Sequence, residues 1–157
     1  MAERMTTHEC FEAAVQVEDL MRDLYLRLAA TRGDDPRSRE LFLRLAAEEE
    51  QHAQRIRLLA RHQGPGTWAS ETAARIQSEL GAVSGELQAI AREIGEQGDG
   101  LPGDALLRKV IEAERHAGVI HAEVLARSTE IEVQMLFWAL ARQDVHHEAL
   151  LRSATGQ

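Results

Sequence analysis

Glu49 and His52 stand one helical turn apart in "AAEEEQHAQRI", and Asp144 and His147 share that spacing in "ARQDVHHEALL". Residues i and i+3 lie on one face of a helix, so each pair can aim a carboxylate and an imidazole at one point. Iron, manganese and zinc accept that donor combination. Spacing alone is weak evidence, because 26 acidic residues and 7 histidines in 157 positions yield about one such pair by chance.

Placement carries more weight. The first pair interrupts an apolar stripe of Leu41, Leu45, Ile56 and Leu59, and the second interrupts Val133, Phe137, Leu140 and Leu151. Glu18 interrupts Phe11, Ala14, Val15, Met21, Tyr25 and Leu28, while Glu114 and His121 interrupt Leu107, Val110, Ile111 and Leu125. A lone buried carboxylate is costly, and four in one core would repel one another unless cations offset the charge. Glu18 and Glu49 are 31 residues apart and Glu114 and Asp144 are 30 apart, each pair centred on a helix-to-helix turn, which puts its members at equal depth. The halves also repeat. Glu18 is followed seven residues on by Tyr25, and Glu114 by His121; the half-to-half offset is 96 residues for these and 95 for the Glu49 and Asp144 motifs. Such a repeat implies a pseudo-twofold axis with a metal-sized site on it.

The elements that must position these residues are helical. Leu, Ala, Glu and Arg dominate, and no segment sustains period-2 alternation, so the fold class is all-α. Thr6-x-x-Glu9 reads as a capping box for a helix to about residue 30. Asp35 and Pro36 start a second helix that runs to about 62. A third long helix spans 104–127, and Thr129-x-x-Glu132 is expected to cap a fourth, ending near 153. Short turns make two antiparallel hairpins, 6–62 and 104–153, within one domain spanning 1–157.

The connector 64–103 is too long for a bare loop and is expected to hold a helix over about 69–95. Ile76, Leu80, Val83, Leu87, Ile90 and Ile94 form a heptad seam there. The seam can pack on its own bundle or meet a second copy in a homodimer, with Gly81 and Gly85 allowing close approach.

A net charge of -8 argues against nucleic acid and against an anionic membrane surface. No apolar run reaches membrane-span length and no signal-peptide core is evident, so a cytoplasmic location is expected. Cys10, the single cysteine, excludes an internal disulfide and reads as an ordinary packing residue. Glu48 and Glu50 read as solvated flanks, His8, His62, His116 and His146 as surface residues, and Trp68 and Trp138 as packing residues.

At the motifs "VEDLMRDLY", "AAEEEQHAQRI", "IEAERHAGVIH" and "ARQDVHHEALL", the chain resembles the rubrerythrin branch of the ferritin-like superfamily. The resemblance implies a ferritin-like four-helix bundle with an added helical crossover. It implies a centre of two iron ions, with manganese or zinc as alternatives, held by Glu18, Glu49, His52, Glu114, Asp144 and His147. Tyr25 and His121 would stand behind the ligands as hydrogen-bond donors; His121 can also be read as an added ligand or a core histidine bonded to backbone. The activity implied is reduction of hydrogen peroxide or O2. Four departures stand out. Asp144 replaces a usual Glu, Ala117 replaces a frequent second carboxylate, and His121 replaces the aromatic of the half-repeat. The rubredoxin-like domain is missing, so an external electron-donor protein is expected. Glu50 occupies the place of the haem-binding Met of bacterioferritin, so no haem is expected. Ferroxidase or iron-handling activity, and a non-catalytic metal-binding helical module, are the competing functions.

Overall fold

The computed structural model describes residues 6–31, 35–63, 70–97 and 103–156, which form five α-helices and no strand. They are α1 Thr7–Thr31, α2 Pro36–His62, α3 Ser70–Glu96, α4 Asp104–Arg127 and α5 Ile131–Thr155. Residues 32–34, 64–69, among them Trp68, and 98–102 lie outside the described residues.

Local chemistry sets several of the helix ends. The Thr6 N–H donates to Glu9 Oε2 at 2.7 Å and the Glu9 N–H to Thr6 Oγ1 at 3.3 Å, a reciprocal capping box. Asp35 Oδ1 accepts from the Arg37 N–H ahead of Pro36. Gly156 closes α5 at φ 69°, a left-handed conformation that favours glycine. The capping box expected at Thr129 does not form. The helix starts one residue later, at Ile131, with Glu130 as an N-cap that makes no side-chain bond, and Ser128 Oγ accepts the Glu130 N–H instead.

Pairing across the helices shows their directions. Arg22 of α1 meets Glu50 of α2 and Asp19 meets Arg57, so numbering falls on one helix as it rises on the other. Arg115–Glu148 and Glu112–Arg152 relate α4 and α5 the same way. These are the two antiparallel hairpins. They meet directly along α2 and α5, and α3 lies between α1 and α4 on the other side. The Lys109–Glu93 and His116–Glu86 pairs set α3 antiparallel to α4. At ~1.5 Å per residue, its 27 residues carry the chain about 40 Å from one end of the bundle to the other.

The heptad seam is closed within the chain. Ile76, Leu80, Val83, Leu87, Ile90 and Ile94 are all 5% exposed or less, buried where α3 packs on α1 and α4. These six side chains are covered by the chain's own helices. Gly81 and Gly85 point away from the bundle, where an added Cβ would meet nothing within 4 Å. A helix laid into a groove between two others buries one stripe, and these two glycines fall on the opposite side. No helix among the described residues is long and apolar enough to cross a membrane.

Candidate metal centre

Two stacked aromatic pairs bracket the polar middle of the bundle. Phe11 and Phe137 lie 5.8 Å apart toward one end, Tyr25 and Phe42 6.2 Å apart toward the other. Between them Glu18, Glu49, His52, Glu114, His121, Asp144 and His147 are each 5% exposed or less. Equal depth in two hairpins brings them together, as their spacing predicts.

Glu18, Glu49 and His52 offer ligand atoms within 4.8 Å of one another, and so do Glu49, Glu114 and His147. Glu49 belongs to both groups. His52 Nδ1 lies 3.1 Å from Glu18 and 2.9 Å from Glu49; His147 Nδ1 lies 2.7 Å from Glu114 and 2.9 Å from Glu49. Glu49 Oε1 is buried without a well-directed hydrogen bond. Two oxygen–nitrogen triads with a shared carboxylate fit two divalent ions of the iron, manganese or zinc type.

The outer ring nitrogens are held by residues that spacing alone did not single out. His52 Nε2 lies 2.8 Å from Gln143 Oε1, and His147 Nε2 lies 2.8 Å from Glu48 Oε2. Both partners are acceptors there, so each Nε2 carries a hydrogen and, in the neutral ring, the Nδ1 lone pair faces the carboxylates. The rings stack at 5.6 Å and 15°. Each partner sits four residues before the opposite histidine, and that shared offset is the signal that could have revealed them. Glu48, 21% exposed, is thus a partner of His147 rather than a solvated flank. Glu50 pairs with Arg22 across the first hairpin.

The half-repeat residues exchange partners across the pseudo-twofold. The Tyr25 O–H donates to Glu114 Oε2 at 3.0 Å, and His121 Nε2 faces Glu18 Oε1 at 3.2 Å. The second contact is an ion pair of poor alignment, leaving His121 Nε2 without a hydrogen bond. His121 Nδ1 lies 2.7 Å from Asp144 Oδ2.

Asp144 joins neither triad. Its side chain is one methylene shorter than Glu and is engaged by His121. Gly118 makes the approach possible, since a Cβ there would stand 3.1 Å from Asp144 Cβ. Five of the six sequence-predicted ligands converge on two positions; the sixth is buried beside them, bonded to His121.

The electrostatics follow from crowding. Burial opposes charge on His52 and His147, but the carboxylates facing their Nδ1 atoms push them up to about 10 and about 12. Burial likewise opposes charge on His121, which Asp144 and Glu18 raise well above the ordinary imidazole range. Burial, then the Glu49 charge, pushes Glu114 up to about 8. Burial also raises Glu49. Burial would raise Glu18, but the His121 and His52 imidazoliums hold it well below the usual carboxylate range.

His116 is partly buried and contacts Glu79 and Glu86 of α3, so it clasps two helices rather than standing free. Cys10 is buried, its S–H donates to the Ala73 carbonyl at 3.6 Å, and burial pushes the thiol up to about 11. Trp138 is 54% exposed and stacks under Arg142 rather than packing in the core. Comparisons with protein-family models, curated proteins and solved structures find no match to this chain.

Proposed function

We propose that the chain is a ferritin-like, rubrerythrin-like di-iron oxidoreductase that reduces hydrogen peroxide or O2 with electrons from an external donor protein. The observation that carries this reading is the pair of buried carboxylate–imidazole triads sharing Glu49. Glu18, Glu49 and His52 would hold one ion, and Glu49, Glu114 and His147 the other, without haem. Two irons held there would each give one electron, together the two needed to take one hydrogen peroxide and two protons to two waters, and the external donor would return both. The chain's own residues orient and insulate. Gln143 and Glu48 fix the imidazole tautomers. The Tyr25 O–H holds Glu114 Oε2, and the aromatic pairs separate the centre from bulk water.

One observation favours the non-catalytic module instead. His52, His121 and His147 each place ring nitrogens within 3.2 Å of two of the buried acids, so imidazolium charge can offset carboxylate charge there in place of a metal. Anaerobic loading with Fe(II), followed by peroxide and a chemical reductant, separates the readings. Two irons per chain with many turnovers are expected, and Glu49→Ala should lower both. Oxidation that stops after one equivalent and releases iron would favour the ferroxidase. A colourless protein that takes up no iron would leave the module.

A further inference from the structure

α5 is apolar on two sides. Its inner side carries the centre, and its outer side presents Ile131, Met135, Trp138, Arg142, Val145 and Ala149, all exposed. They recur at 4-3-4-3-4 spacing, so they form one stripe along about 27 Å of helix. Ile131, Met135, Trp138 and Val145 are 67%, 66%, 54% and 68% exposed. In a chain of net charge -8, this stripe contains no acid and one cation.

We propose that this stripe binds a second copy of the chain, α5 against α5, antiparallel about a twofold axis at the level of Leu140. Each stripe residue lies as far before Leu140 as its counterpart lies after it. Ile131 then meets Ala149 of the other copy, Met135 meets Val145, and Trp138 meets Arg142. The pairing is self-complementary, as a twofold interface requires. Arg142 already sits 4.8 Å over its own Trp138 ring, so the two copies bring two cations and two ring faces to the centre of the contact with no acid to desolvate. Trp, Met and Arg are residues that interface cores favour. Leu140 itself is buried inward, so the two-copy contact leaves the metal centre untouched.

Area sets the strength. The four large apolar side chains expose roughly 500 Å², at the upper end of the largest patch on a typical monomer. Two copies would bury about 1,000 Å², the lower limit for a specific interface. The dimer is therefore expected to dissociate in the micromolar range.

Light scattering of the chain from 5 to 200 μM, as purified and after metal loading, tests this. A concentration-dependent dimer is expected, with Met135→Glu and Val145→Glu each shifting dissociation at least tenfold toward monomer while helicity by circular dichroism is kept. Met135→Cys combined with Val145→Cys should form interchain disulfides under mild oxidation, since the two positions lie about 15 Å apart within one helix. A wild-type monomer at 200 μM overturns the proposal. So does a dimer that survives both glutamate variants, or an absence of interchain disulfide. A monomer that instead co-sediments with anionic vesicles also overturns it, giving the face to a membrane.

Discussion

Loading the centre with two divalent ions at pH 7 should release about three protons per chain. Before loading, His52, His147 and Glu114 hold protons at neutral pH, because their folded values are pushed up to about 10, 12 and 8. A metal at the inner Nδ1 atoms and at Glu114 needs the neutral rings and the ionised carboxylate, so all three protons must leave. The product of the two association constants should then rise roughly a thousandfold per pH unit near pH 7. Calorimetric titration with Mn(II) in two buffers of different ionisation enthalpy counts the protons without redox chemistry. The same proton affinities act on stability. Each of these groups binds its proton more tightly in the folded chain than at its ordinary 6.5 or 4.5, so its contribution is complete below that ordinary value and is lost as pH rises through the folded one. Glu18 has the opposite sign: its contribution is lost in acid. Between pH 6 and 9 the metal-free protein should therefore lose on the order of several kcal/mol, since each tenfold gain in proton affinity on folding is worth about 1.4 kcal/mol. For a chain of this size that is roughly 10 °C or more in Tm. Bound metal should abolish most of the loss. Release of less than one proton, or a metal-free Tm that does not fall from pH 6 to 9, would refute the reasoning.

Three further outcomes are expected. Gln143→Leu should remove the acceptor for His52 Nε2 and lower metal affinity about 10- to 100-fold with little change in helicity, measured by competition with a chelator. Gly118→Ala should push α4 from α5 at Asp144, costing about 1–3 kcal/mol in urea unfolding; an unchanged midpoint would mean the helices yield freely. Leu87→Ala should cost about 2–5 kcal/mol by cavity formation in the α3 seam, and Leu87→Glu should unfold the chain rather than dissociate a dimer.

Much of the fold was legible because helix formation is local. The Thr6–Glu9 box, Asp35–Pro36 and the apolar period of four and three set element type and length without reference to partners. The convergence of Glu18, Glu49, His52, Glu114 and His147 was legible for a related reason: in a hairpin, distance from the turn fixes depth. Tertiary structure decided what periodicity cannot encode, namely which neighbour each face meets. The α3 stripe and the outer α5 stripe have the same heptad spacing, yet one fills the groove between α1 and α4 and the other stays exposed. Glu48 and Gln143 gained a role only when α2 and α5 came side by side, since each serves the other helix's histidine. Asp144 sits at the right depth, but reach across the centre depends on one methylene and on how near Gly118 lets α4 come. Depth is a property of the chain; contact is a property of the packed helices.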